Sequence, residues 1–347
     1  VSHYVDIHPA TLVDLPTLHG WGRGGALHVV LDSELAYTRE VNGGQTALLS
    51  SLLRPSRGLI TLVGRPERGS GCEAIVGQLR LKTADHLAQI VSIAGGGRID
   101  APEIGDDGAW LQMLDAMTAE AGRRGAYMLT AEVDECSPLF VTMRTAGFAV
   151  YARQEIWALD QTVALPALSL PGTLADESDD DAMDIQLLYS NIVPRLVQPI
   201  AVPSRESRGL VYRGAGRTQG YIAVSEGRGG LYLMPFLHPD VLGHEAGAII
   251  CGALQFIAGR KRADRPPVYV CVRRYQDWLA ESLAALQFTC AAQQAVLVRH
   301  IAAGIRQPQF ARLAPALALT QAVSPPTTGI SRVGDAHGQQ PDRSGTC

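Results

Sequence analysis

Residues 125–157, GAYMLTAEVDECSPLFVTMRTAGFAVYARQEIW, constrain the fold more than any other stretch of this chain. The apolar run from Ala126 to Val133 predicts a strand, a helical stretch follows, and the β-branched and aromatic run after Gly147-Phe148 predicts a second strand. Ser137-Pro138 marks the helix start: serine is a natural N-cap, and proline at the first helical position gives up an N–H that has no partner there anyway. Gly147 supplies the C-terminal stop.

The same unit returns 140 residues later. Tyr127-Met-Leu falls over Pro267-Val-Tyr, Ala146-Gly-Phe148 over Leu286-Gln-Phe288, and Ala152-Arg-Gln154 over Ala292-Gln-Gln294. Upstream of the first unit, Val5 to His8 reads as a strand and Ala10 to Leu18 as the start of a helix. Gly58 to Gly64, Ala74 to Leu81 and Leu87 to Ala94 read as an antiparallel meander. A glycine-rich loop, Gly95 to Gly108, then leads into a helix over Ala109 to Arg124. Upstream of the second unit, Asp184 to Leu196 reads as helix, and Gly209 to Tyr212, Gly220 to Ser225 and Leu231 to Leu237 as three strands. A helix over Glu245 to Gly259 and a strand over Val268 to Val272 follow, then a helix over Asp277 to Leu286 and a strand over Ala291 to Val298. An internal duplication accounts for this matching order. The expected organisation is a first copy over 1–160, a proline-bearing and acidic linker over 161–183, a more diverged second copy over 184–304, and a disordered tail over 305–347 with little apolar surface.

Composition narrows the function classes. With 347 residues, 46% hydrophobic and 18% charged, the chain is globular and long enough for two cores. A net charge of -4 gives no basic surface for nucleic acid. Six scattered cysteines without a C-x-x-C pair fit reduced thiols and a cytoplasmic location. No apolar leader opens the sequence, and its most apolar helical run, Ala246 to Ala258, is too short for a bilayer, so neither secretion nor a membrane is expected. Gly20 to Gly25 contains G-x-G-x-x-G but lacks a preceding strand, so it reads as a loop and not a dinucleotide site. Asp176 to Asp181 lacks the glycine and distant glutamate of a calcium loop. His244-Glu245 opens the zinc pattern H-E-x-x-H, but its second histidine position is Ala248; no metal is expected.

LQMLDAMTAEAGRRGAYMLTAEV followed by SPLFVTMRTAGFAVYARQEIW resembles the central helix, fifth strand and closing helix-strand of the GCN5-related N-acetyltransferases (GNAT). Gly147-Phe148 stands at that family's usual "GF", and the second half is similar to a more diverged copy. The resemblance implies an α+β, α/β/α-layered fold: two tandem GNAT-like domains, each a mixed, mostly antiparallel sheet flanked by helices. It implies an acyl-CoA-dependent N-acyltransferase, moving acetyl from acetyl-CoA to the amine of a small molecule or protein; the alternative is an inactive tandem used for binding or scaffolding. Cofactor capture in the family uses a Q/R-x-x-G-x-G/A loop at a helix N-terminus. Here Gly105 and Gly108 belong to the matching loop of the first copy, and Gly243, His244 and Gly247 to that of the second. Trp110 and Asp106-Asp107 depart from the pattern in the first, Leu242 and Glu245 in the second. The resemblance points to Glu132 and Glu135 as bases, with Asp134 and His238 as further candidates, while Met143 and Leu283 hold the position of the family's proton-donating tyrosine.

Overall fold

The computed structural model describes residues 4–14, 28–38, 59–67, 73–82, 86–95, 97–98, 101–105, 107–166, 168–201, 208–241, 243–259 and 266–301. The glycine-rich segment at 20–25 and the expected tail lie outside these residues. The first copy opens with β1 (Tyr4–Pro9), a 3-10 turn (Leu12–Asp14), β2 (His28–Val30) and α1 (Ser33–Thr38). The meander follows as β3 (Leu59–Pro66), β4 (Ile75–Lys82) and β5 (Leu87–Gly95). Of the helix expected from Ala10, the described residues hold that one turn, at whose start the Thr11 N–H donates to the Asp14 carboxylate at 2.8 Å; the rest of the expected span lies outside them. The expected loop after Gly95 also carries structure: β6 (Gly97–Arg98) and β7 (Ala101–Gly105) pair as a small hairpin.

The strand-helix-strand unit is as the sequence predicts. After α2 (Asp107–Arg123) come β8 (Met128–Asp134), α3 (Pro138–Thr145) and β9 (Ala149–Leu159). Ser137 caps α3 by accepting from the Leu139 N–H, with Pro138 at its first position. Along α2, Ala109, Trp110, Met113, Leu114, Met117 and Ala121 form a buried stripe at helical spacing. The stripe sits so close to β4 that a Cβ on Gly77 would meet the Met113 and Met117 sulfurs at 2.8 and 2.9 Å, which only glycine avoids.

The second copy begins inside the stretch expected to be linker. β10 (Thr173–Asp176) pairs antiparallel with β11 (Arg208–Gly214), so a short edge strand opens this copy as β1 opens the first. A short alternation directly after Pro171-Gly172 gives no clear strand signal. α4 (Ala182–Ile192) precedes β11; β12 (Arg217–Glu226), β13 (Leu231–Leu237), α5 (Gly243–Ala258), β14 (Val268–Arg273), α6 (Leu279–Ala285) and β15 (Thr289–His300) follow it.

Thirteen of the described strands form one sheet, and its middle is exchanged between the copies. The order runs β5-β8-β15-β9-β14-β13 across the centre. β15, the last strand of the second copy, lies antiparallel between β8 and β9 of the first. β9 reciprocates by pairing antiparallel with β14. Each copy therefore completes the other's sheet, about an approximate two-fold axis. Gln154 and Gln294, equivalent by the 140-residue repeat, face each other in register at that axis, and the Gln154 amide donates to Gln294 Oε1 at 2.8 Å. The first copy's core gathers under α2 and α3 around Leu129, Ala131 and Phe148, with Ala295 and Leu297 of β15 among them. The second copy's core gathers under α5 and α6 around Val270, Ile249, Leu283 and Phe288.

The repeat also preserves the end of the closing helix. Phe148 N–H donates to the Met143 carbonyl, and Phe288 N–H to that of Leu283, in both cases across a residue of positive φ. That residue is Gly147 at +86° in the first copy and Gln287 at +67° in the second.

Candidate functional site

In each copy two parallel strands begin together and then diverge. β5 and β8 pair only over Leu87↔Met128 to Gln89↔Thr130, and β13 and β14 only over Leu231↔Val268 to Leu233↔Val270. Past those pairs, each fork turns strand edges toward the gap, with N–H and C=O groups that the neighbouring strand no longer meets. An extended, amide-bearing ligand could add there as a further strand would.

The chain itself fills the first fork. β2 lies antiparallel on β5 over His28↔Ala94 to Val30↔Ser92. At its end Leu31 bridges both arms: its N–H donates to Val91 O at 2.9 Å, and its carbonyl accepts from Glu132 N at 2.9 Å. Leu31 is fully buried in the core. The Trp110 indole donates to Gly95 O at 3.0 Å and covers the end of β5.

In the second fork one side chain takes the open edge of β13. Gln276, on the 3-10 turn after β14, is buried; its Oε1 accepts from Leu237 N at 2.9 Å and its Nε2 donates to Pro235 O at 2.7 Å. A parallel neighbour offers one residue's C=O and N–H to such a pair of positions two apart, and the glutamine amide reproduces both. Proline is tolerated inside β13 because its ring nitrogen points into this fork, where no ladder bond is lost.

The glycines suggested for cofactor capture fall at, or just before, the starts of α2 and α5. Gly105 ends β7, and Gly108 lies in the first turn of α2. Gly243 and His244 are exposed at the start of α5; the Gly243 carbonyl accepts from Ser282 Oγ at 2.8 Å, tying α5 to α6. Gly247 is buried one turn on, its missing side chain directed at Leu286. An acyl-CoA chain entering the first fork would meet strand edges already taken by β2 and Leu31, and one entering the second would meet Gln276 on the β13 edge.

The candidate bases are engaged too. Glu132 accepts from Ser33 N at 2.9 Å and pairs with Arg273 at 3.2 Å, a contact across the two copies. Burial works against the Arg273 charge, but Cys271, Glu132 and two tyrosines outweigh it and its pKa is raised. Cys271 is buried, its thiol pushed up to about 11, so it is no thiolate at neutral pH. Glu135 accepts from Arg153 Nε at 2.7 Å, Asp134 accepts from Cys136 N at 2.9 Å, and His238 Nδ1 accepts from Asp240 N at 3.2 Å. Met143 and Leu283 are fully buried in the two cores. Among the described residues no three His, Cys, Asp or Glu side chains converge on a point that could hold a metal, and no described helix is long and apolar enough to cross a membrane.

Gln276 and Leu31 are not among the candidates that the sequence offers. Pro235 is the available signal for the first of them, since a proline within LYLMPFL requires one open strand edge. Nothing local marks Leu31.

No family model matches the sequence, and no curated protein does. Solved structures do. A GCN5-related N-acetyltransferase from Sphaerobacter thermophilus is similar over 85% of this chain and 95% of its own, with a TM-score of 0.52 and 13% identity. A tandem GNAT protein from the clavulanic acid biosynthesis pathway, solved without AcCoA, is similar over 85% of this chain and 98% of its own, with a TM-score of 0.50 and 17% identity. At these identities the likeness speaks to architecture alone. With its paired forks, duplicated order and mixed sheet between helices, the chain has the fold of the GCN5-related N-acetyltransferases, in tandem.

Proposed function

We propose that this protein is a tandem GNAT-fold binding module that does not take up acyl-CoA. One observation carries the reading: both strand forks are closed by hydrogen bonds from the chain itself, Leu31 in the first and Gln276 in the second. The burial of Met143 and Leu283, and the ion pairs of Glu132 and Glu135, support it. Isothermal titration with acetyl-CoA tests it. No heat up to millimolar ligand is expected; saturable binding would overturn it.

A second reading, an acyl-CoA-dependent N-acyltransferase acting on a small-molecule or protein amine, is favoured by one difference between the forks. The second is closed by a single side chain, which can withdraw without dismantling a strand, whereas the first is closed by a paired segment. In this reading acetyl-CoA is the co-substrate of the second copy alone. Acetyl-CoA-dependent acetylation across a panel of amines, abolished by changes in the second fork and untouched by changes in the first, would establish it.

A further inference from the structure

At the seam between the copies, β9, β15, the end of β8 and the turn after β14 line an open cavity of about 320 Å³. Its lining is built for polar chemistry. Glu135, Arg153 and Glu155 come from the first copy, Arg274 and Asp277 from the second, and three glutamines and one aliphatic side chain, Val272, complete it. Three carboxylates against two guanidiniums leave one net negative charge.

The internal bonds show which charges are already paired. Arg153 and Glu135 neutralise each other at 2.7 Å. Among the described residues Glu155 accepts from neutral donors, the Trp157 indole at 3.1 Å and the Gln293 amide at 3.4 Å, and has no ion-pair partner. Asp277 contributes its backbone to the turn, where its N–H donates to Arg274 O and its carbonyl accepts from Ala280 N. Glu155, Asp277 and Arg274 thus present two negative charges and one positive in one small space. A β-bulge between Cys290 and Ala292, just before Gln293, bends β15 at the rim, as bulges do beside sites.

We infer that this cavity binds a small zwitterion of amino-acid to dipeptide size, its ammonium on Glu155 and Asp277 and its carboxylate on Arg274. The volume is at the low end for ligand sites, and the position between two structural units is where such sites concentrate. This rests on the binding-module reading and deepens it by naming what is bound.

The test is thermal unfolding and calorimetry of the full chain with L-glutamine, glycylglycine and, as a dianion of similar size, glutarate, each on the order of 10 mM. Either zwitterion raising the midpoint while glutarate does not is the expected result. Glu155→Gln, which keeps an oxygen for the Trp157 indole, and Arg274→Ala, at an exposed position, should each weaken that binding by about tenfold or more with the ligand-free midpoint unchanged. No shift with either zwitterion, a glutarate shift as large, or unchanged affinity in both variants would overturn the site. Absent zwitterion binding with acetyl-CoA also silent removes this site and leaves the closed forks standing. Acetyl-CoA binding alongside zwitterion binding does the reverse.

Discussion

Replacing Gln276 by alanine removes the amide that closes the second fork, and the structure sets the size of the effect. Two backbone groups, Leu237 N–H and Pro235 C=O, lose partners at 2.9 and 2.7 Å in a buried position. An orphaned buried donor or acceptor costs about 1–3 kcal/mol, so the pair costs about 2–6 kcal/mol, and water entering the space left by the side chain brings this to about 2–4 kcal/mol. Urea unfolding followed by far-UV circular dichroism reads it as a lower midpoint at unchanged slope. Gln276→Glu sharpens the test. Its carboxylate still accepts from Leu237 N but has nothing to donate to Pro235 O, whereas the protonated acid has. Burial raises the folded-state pKa of such a group above its unfolded value of about 4.3, so its stability is fully present below that value and is lost as pH rises through the folded pKa. The deficit against wild type should therefore shrink as pH falls from about 7 toward about 4.5. A loss below about 0.5 kcal/mol for the alanine variant, or a deficit in the glutamate variant that does not vary with pH, would refute the bridge.

Three other outcomes follow from the fold. Asp14 is buried, which alone would raise its pKa, but hydrogen bonds from the Thr11 N–H and hydroxyl and from Arg65 bring it down to about 2. Asp14→Asn should cost about 1–2 kcal/mol at pH 7, discounted for the half-exposed Arg65; in wild type this contribution is complete above about pH 4 and vanishes as pH falls toward 2, as acid titration of stability will report. Gln287→Gly should stabilise by about 0.5–1 kcal/mol in the same denaturation assay, because a side chain at φ +67° gives way to the residue that accepts it, as Gly147 does in the other copy. Residues 1–160 produced alone should fail to unfold cooperatively, since both neighbours of β9 belong to the second copy, while co-production with 161–304 should yield a complex by size-exclusion chromatography.

Local structure and duplication are legible in the sequence because both are written in short-range pattern. Ser137-Pro138, Gly147-Phe148 and the apolar periodicity of α2 each fix an element without reference to the rest of the chain. Position 287 shows the limit of that logic: the copies agree on the helix end although one lacks the glycine that announces it. Pairing between distant strands leaves no local mark. The alternation in AAQQAVLV specifies a strand with two faces, and nothing in it names β8 and β9 as neighbours more than 130 residues upstream. The same holds for the fork plugs, where Leu31 and Gln276 are ordinary residues until the backbone places them between diverging strands. β10 is hidden for another reason, being an edge strand of four residues with few apolar positions behind a Pro-Gly turn.

The exchanged centre has a consequence for how the protein is made. β15 is the last described strand in the chain and lies in the middle of the sheet, between two strands that leave the ribosome far earlier. Until it arrives, β8 and β9 each present an unpaired edge, and β9 also waits for β14. Those contacts span more than a hundred residues, so the entropy of loop closure is lost before they stabilise anything, and folding should be slow and late. During synthesis the first copy is a template with a missing rung, open to any strand that fits. The matching rung from a neighbouring molecule would fit equally well, so crowded translation of this protein is where intertwined dimers should first be sought.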